Sequence, residues 1–392
     1  MKRSGIVLGA WLVVVQPVSA DSDWFADWEV EARADVSVVA SPGRSDAGAL
    51  DSEPVLGDAR AEVRFERVLD NGAEIGLRVG GRAQFDHPAR QGFSGRIGDG
   101  SASLLTIGPL PRGAFTGLTL GGPLEDDGFE IELETAFAYI DGGYGELLVG
   151  RDVGVARRFH EGAPSVFRLH RGVNASLDTS GVATVLTRNS FTGPSAKVSY
   201  ASPRLVGVRW GASYTPDVNT GGVDRDPQRS VAGVSEPRLS KAFETAVNAS
   251  RRFRSSGIRA SIYGAFGRSD VDTLPGDIDI GTLRIWSAGG NLEWKALTIG
   301  ADWLTSDNGG GRYRAWSVGI GADWLGFEWS GGFGRSIDQL TGVDGETWHI
   351  GLSRDVFERL SVALGVDQNR LEFANGDANS SIGPVIEITL RL

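Results

Sequence analysis

Glu130, Glu132 and Glu134 occupy every second position of FEIELETAFAYID (129–141), with Phe129, Ile131, Leu133, Phe137 and Tyr139 between and around them. Side chains of a strand alternate between faces, so the stretch carries carboxylates on one side and bulk hydrocarbon on the other. The same dyad returns along the chain. In 28–41, Trp28, Val30, Ala32, Ala34, Val36 and Val38 oppose Glu29, Glu31, Arg33, Asp35 and Ser37. In 58–66 and 73–86, apolar positions oppose Arg60, Glu62 and Arg64, then Glu74, Arg78 and Arg82. Reading on to the last residue gives sixteen candidate strands. Their connections alternate between short ones (69–72, 141–143, 202–204, 254–256, 295–296, 325, 355–359) and long ones (42–57, 87–128, 152–194, 218–241, 269–281, 305–313, 336–346, 369–383). An even strand number with sorted connections describes an all-β, 16-stranded antiparallel transmembrane β-barrel, with short periplasmic turns and long extracellular loops. The acids of such strands turn to a water-filled interior. Phe137 and Tyr139 are expected on the lipid or subunit face with Phe129.

Other features bound the setting. Lys2 and Arg3 precede an apolar run from Ile6 to Val15, and Val18-Ser19-Ala20 offers small residues for cleavage, so 1–20 reads as a secretory signal peptide. Residues 21–392 then form a single exported barrel domain. No later segment approaches 18 consecutive apolar residues, so a membrane-spanning part must be a closed barrel, which satisfies its backbone polar groups within the sheet. The chain has no cysteine and hence no disulfide framework. Its net charge of −11 disfavours nucleic acid and anionic-lipid surfaces as partners.

The tryptophans mark two levels. Trp286 and Trp294 sit at opposite ends of one strand on one face, as do Trp316 and Trp324. Eight residues at ~3.3 Å each, tilted by about 40°, rise roughly 20 Å along the membrane normal. That approaches the ~25 Å apolar band bordered by interfacial aromatics. Trp303 and Trp329 fit the upper and lower level respectively.

AFAYIDGGYGELLVGRDVGVA (136–156) followed by GVRWGASYTPD (207–217) resembles the trimeric general porins of Gram-negative outer membranes, of the alphaproteobacterial type. The resemblance implies outer-membrane localisation, a homotrimer among outer-membrane lipids, and an inward-folded third loop, here about 152–194, that narrows a channel. It implies passive diffusion of small hydrophilic solutes and ions, with no cofactor. Two features depart from the family. The chain ends in Leu392 rather than an aromatic, with the alternation Ile386, Ile388, Leu390, Leu392 intact. The third loop, entered at Asp152, carries Arg157, Arg158, Arg168 and Arg171 against Glu161 and Asp178, where the family presents mainly acids.

The pore-lining set expected from the alternation is Arg33, Arg60, Arg64, Arg78, Arg82, Glu130, Glu132 and Glu134, with Arg82 near Glu132 or Glu134 if the third and fourth strands pair. Such a set can impose a transverse field, or simply keep the wall wet. A solute-selective channel for sugars or anions, and a non-transporting surface anchor or adhesin, are the alternatives. Catalysis has little support: His87, His160, His170 and His349 accompany no HExxH, GxSxG or phosphate-loop spacing, and His160-Glu161 lacks a second histidine for zinc. Asp270, Asp272, Asp277 and Asp279 could hold a divalent cation loosely, but they miss the EF-hand spacing.

Overall fold

The computed structural model describes residues 27–47, 53–90, 92–97, 110–121, 128–218, 234–235, 237–272 and 281–392. The signal-peptide reading at 1–20, and Asp277 and Asp279, lie outside the described residues. Sixteen long strands account for the wall: β1 (Glu29–Ala40), β2 (Val55–Val68), β3 (Glu74–Phe85), β4 (Phe129–Gly142), β5 (Gly145–Asp152), β6 (Ser195–Ala201), β7 (Val208–Asp217) and β8 (Arg238–Phe253). The second half is β9 (Ile258–Asp272), β10 (Gly281–Trp294), β11 (Leu297–Ser306), β12 (Tyr313–Trp324), β13 (Phe327–Asp338), β14 (Val343–Phe357), β15 (Leu360–Phe373) and β16 (Ala378–Arg391). Each pairs antiparallel with the next, and β1 closes on β16 from Asp35–Arg391 to Ala40–Ile386. Leu392 exchanges two backbone hydrogen bonds with Ala34, so the apolar alternation into the last residue is wall strand. Closure removes sheet edges, the condition for a sheet to cross hydrocarbon.

The pleat sorts side chains as the alternation implies. Outward positions carry exposed apolar groups such as Val30, Leu77, Ile131, Ile299 and Ile350, while the alternate residues face inward, buried along most of the wall and open to the lumen on parts of β1–β4. Turn chemistry supports the short connections. Leu325 and Gly326 both have positive φ, the backbone of a two-residue turn whose twist matches the flanking strands.

Two expectations are corrected. The connections at 336–346 and 369–383 contract to 339–342 and 374–377, because β13–β16 continue beyond the apolar band. Their outer ends carry Arg335, Asp344, Arg370 and Glu372 outward, with bridges Arg335–Asp344 at 3.0 Å and Arg370–Glu372 at 3.3 Å. These charges interrupt the apolar pattern without ending the ladder. Second, Phe137 and Tyr139 point inward. The β3–β4 register slips between Gly80 and Gly81, opposing Thr135 and Leu133, so Glu134 is the extra residue of a β-bulge. One inserted residue exchanges the two faces of everything beyond it.

The third loop, 153–194, lies inside the barrel. A short helix α1 (Val155–Arg158) opens it. Val155, Ala156 and Phe159 pack on Ala201, Ala246 and Ala265 of β6, β8 and β9. Phe167, Leu169 and Leu177 pack with Val39, Leu56, Ala363 and Val385 of β1, β2, β15 and β16. Val185, Leu186 and Phe191 join Phe115 of the second long loop against inward residues of β8–β12, including Leu239, Leu283, Ile285, Leu304 and Tyr313. Apolar residues inside a barrel need this cover, since exposing them to a wet lumen forfeits about 25 cal/mol per Å².

Candidate functional site: the passage between wall and third loop

Polar wall groups fix the loop's backbone strand by strand. Ser213 of β7 accepts from Val155 N at 3.2 Å, and Asp302 of β11 accepts from Ala163 N at 2.9 Å. Ser330 of β13 accepts from Val166 N at 2.9 Å. Glu387 of β16 receives three successive amides, from Arg168, Leu169 and His170, at 2.9–3.2 Å. Glycines clear the track. A Cβ on Gly300 would stand 2.5 Å from Gly162 O, and one on Gly351 2.7 Å from the Phe167 ring. The loop therefore hugs β6–β16 and one end of β1–β3, where it meets Val39, Leu56 and Gln84, and leaves the stretch of β1–β4 around Arg33, Arg60, Gly80 and Glu134 facing open space.

That space is a cavity of about 360 Å³ lined by β1–β4 on one side and Asp152, Val153, Arg157 and Arg168 on the other. Its charges alternate: Arg33, Arg60, Arg157 and Arg168 against Asp35, Glu62, Glu134 and Asp152. Arg60 bridges Asp58 at 2.8 Å and Glu134 at 3.4 Å. Arg168 spans from the loop to Asp35 of β1 at 2.6 Å. Arg33 meets Glu31 at 2.7 Å, with both side chains exposed.

A ladder of arginines and carboxylates continues along β2 and β3. Arg78 meets Glu62 at 3.4 Å and lies over the Phe137 ring, 5.5 Å from its centroid. Farther along, Arg64 bridges Glu66 and, at 3.4 Å, Glu74, with Tyr139 Oη 3.3 Å away. Tyr139 donates to the Glu66 and Glu74 carboxylates. Deeper in the wall, Arg82 reaches Asp58 at 2.6 Å and Glu132 at 3.9 Å, and its side chain is only 1% exposed. Glu132 also faces Arg151 at 3.8 Å, and Glu130 stands opposite Gln84. So the pairing expected for Arg82 is met through Glu132, while the bulge hands Glu134 to Arg60.

Only some third-loop residues reach the cavity. Asp152, Arg157 and Arg168 do. Arg158 turns to Glu146 at 2.5 Å, which also accepts from Arg209 at 3.1 Å. Glu161 accepts from the amides of Asn248 and Asn291 on the opposite wall. Arg171 donates to Phe167 O at 3.1 Å, and burial lowers its pKa. Asp178 caps a turn inside the loop, accepting from Ser180 and Ala183 N. Asp35, Asp58 and Tyr139 were not singled out from sequence as site residues. Asp35 and Asp58 belong to the same alternation as the arginines beside them, but nothing in the sequence signals the bulge that turns Tyr139 inward.

The loop histidines are structural. His160 is enclosed, with Nδ1 3.0 Å from Tyr263 Oη, and burial together with Arg188, Arg171 and Arg157 pushes its pKa down to about 3. For His170 burial lowers the pKa, but Asp367, 3.3 Å from Nε2, outweighs it and the net shift is upward. Arg44 of the first long loop bridges the same Asp367. In the second long loop, burial raises Asp86 to about 6, opposed by Arg90 at 2.9 Å. His349 is buried on the inner face beside Phe167. Among the described residues no group of three or more His, Cys, Asp or Glu is arranged to hold a metal. Asp270 instead bridges Lys241 at 3.3 Å, and Asp272 accepts from Ser240.

Comparison with known proteins gives a consistent picture. The sequence model of a family described as Gram-negative porin matches residues 10–380. No curated protein matches the chain. Among solved structures, the trimer form of OmpT, an outer membrane protein of Vibrio cholerae, superposes with a TM-score of 0.56 at 12% identity, covering 93% of this chain and 99% of that one. OmpF of Salmonella typhi gives 0.55 at 11% identity, covering 93% and 98%. The anion-selective porin of Comamonas acidovorans gives 0.51 at 12% identity, covering 93% and 100%.

Proposed function

The chain belongs to the Gram-negative porin family, making it an outer-membrane β-barrel channel for diffusion of small solutes, and we propose that its passage is the cavity between β1–β4 and the third loop. The observation that carries this reading is the asymmetry of the lumen. The loop is docked on β6–β16 and on one end of β1 and β2 by buried apolar groups and backbone hydrogen bonds, while the rest of the β1–β4 wall keeps an open, alternating charge ladder. An ion or hydroxylated solute crossing there exchanges hydration for closely spaced arginines and carboxylates, so desolvation is offset on both signs. With four arginines and four carboxylates around the cavity, ion preference is weak and governed by whichever side chains are least held by partners.

Passage is passive; it uses no cofactor, and no chemical step belongs to it. The working form is a homotrimer, with residues 21–392 as one barrel domain behind a cleaved 1–20. Support for the trimer comes from an alanine patch on the outer face of β1–β3, Ala32, Ala34, Ala59, Ala61 and Ala83, flanked by exposed Val30, Leu77 and Val79 and set against tryptophan-bearing β10–β13. A second reading, anion selection, draws on Arg157 and Arg168 at the cavity. Reversal potentials across a salt gradient separate the two. A potential near zero supports weak preference, and one approaching the chloride equilibrium value supports anion selection. Planar-bilayer recording of the purified protein tests the channel itself: discrete conductance steps are expected, and a silent bilayer overturns the proposal.

A further inference from the structure

On the inner wall, arginines stand directly opposite one another across a ladder at Arg60–Arg82 and Arg64–Arg78 of β2–β3, and again at Arg252–Arg259 of β8–β9. Like charges so placed repel unless something negative joins them. On β2–β3 the protein supplies it. Asp58 takes Arg60 on one oxygen at 2.8 Å and Arg82 on the other at 2.6 Å. Glu66 and Glu74 bridge Arg64, and Glu62 meets Arg78 at 3.4 Å.

The pair on β8–β9 is left differently. It lies at the periplasmic end of both strands and shares the parity of Ala246 and Ala265, which pack on the third loop, so both guanidinium groups face the mouth of the lumen. Among the described residues Arg252 has no ion pair. Arg259 meets only Glu293, at 3.6 Å, with the two side chains 51% and 41% exposed, and so wet a pair holds little. One row deeper, Ser250 Oγ accepts from Arg259 Nε at 3.3 Å and from Ser261 Oγ at 3.1 Å, which leaves its own hydrogen to donate.

Neighbouring groups do not supply the missing charge. Glu146 is shared by Arg158 and Arg209, and Glu161 accepts from the amides of Asn248 and Asn291. Arg204 donates to neutral acceptors, Gly207 O and Asn248 Oδ1, both at 2.8 Å. The next inward acid, Asp323, is on β12, three strands from Arg259. The turns on this side, 202–207, 254–257 and 295–296, are all among the described residues. β1, where the chain enters the barrel, stands half the circumference from β9. Arginines therefore outnumber carboxylates at this part of the mouth.

We propose that the Arg252–Arg259 pair is a binding site at the periplasmic mouth for small multivalent oxyanions, the class of polyphosphates and polycarboxylates. An anion with two charged oxygens takes between Arg252 and Arg259 the place that Asp58 takes between Arg60 and Arg82. Guanidinium forks meet such oxygens bidentately, and the Ser250 hydroxyl adds a neutral donor. The site is separate from the passage along β1–β4. It lies on an open face at the end of the tube, so it concentrates anions there while leaving them free to exchange.

The test is isothermal titration of purified full-length protein, in neutral detergent at low ionic strength, with pyrophosphate, with citrate and, as the monovalent comparison, with acetate. Wild type is expected to bind pyrophosphate and citrate, and acetate far more weakly. The R252A/R259A variant is expected to lose affinity for both on the order of 100-fold, about tenfold for each charge-assisted contact. The R335A/R370A variant, whose arginines pair with the protein's own acids on the outer face, is expected to bind as wild type. Unchanged binding in R252A/R259A, acetate held as tightly as pyrophosphate, or a loss seen in R33A/R168A instead, overturns the site. R252Q/R259Q provides a second variant should the alanine form misfold. Discrete conductance steps of each variant in planar bilayers verify the barrel, so failure of this site is distinguishable from failure of the channel reading.

Discussion

Arg82 shows how far a charge pattern informs about function. Its alternation with Val79 and Ala83 put it correctly on the inner face, but its guanidinium is locked between Asp58 and Glu132 and hardly meets water. Arg82→Ala is therefore expected to lower barrel stability by roughly 3 kcal/mol, the low end for a broken buried pair because Arg60 still reaches Asp58. Unfolding midpoints in urea check this, and reversal potentials should stay at the wild-type value. Arg168→Ala should do the opposite. It removes the loop-to-β1 bridge and a cavity-lining cation, so conductance should rise and preference move toward cations, measured by single-channel current and reversal potential. His170 gives the pH signature. Its folded pKa is raised above the unfolded value of about 6.5, so its contribution is complete below that value and lost as pH rises through the folded one. The thermal unfolding temperature of wild type should fall as pH rises from the unfolded value through the raised folded one, and His170→Gln should flatten that part of the profile. Which face a residue occupies was legible from parity except beyond the β4 bulge, where Phe137 and Tyr139 change sides. Which partner it meets was not, since Glu161, Arg158 and Asp178 find theirs only through the loop's path inside the barrel.

At the scale of the element, β4 and the third loop carry the lesson. Strands were legible because lipid and water impose opposite chemistry on alternate residues over ten or more positions. The bulge at Glu134 was not, because a single unpaired residue leaves composition unchanged while turning Phe137 and Tyr139 to the inside. The inward loop was expected only from resemblance; its mode of docking emerges from glycines that look unremarkable in sequence. Gly351→Val is expected to push Phe167 off the wall, since even a Cβ would come within 2.7 Å of its ring. Single-channel traces of the variant should show noisier current and closure at lower voltage, whereas a quiet trace of wild-type conductance would argue that the loop is held elsewhere.

For the whole molecule, closure of β1 on β16 makes a water-filled tube, and two long loops then fill much of it with an apolar core. Function resides in what they leave uncovered. The strand number, the two aromatic levels and the sorting of the first connections were readable from the chain, because they follow from the geometry of the bilayer, whereas the last two connections expected to be long, 336–346 and 369–383, are four-residue turns. The asymmetry of the filled lumen depends on contacts between residues more than a hundred positions apart, which no local pattern reports. The absence of cysteine makes that asymmetry directly measurable. With Arg60→Cys in planar bilayers, a bulky charged thiol reagent should lower the conductance in discrete steps, one per subunit, while Ser287→Cys, buried on the inner face of β10, should be unaffected. Conductance that ignores modification at Arg60→Cys but falls at Ser287→Cys would place the passage on the other side of the loop and contradict the account.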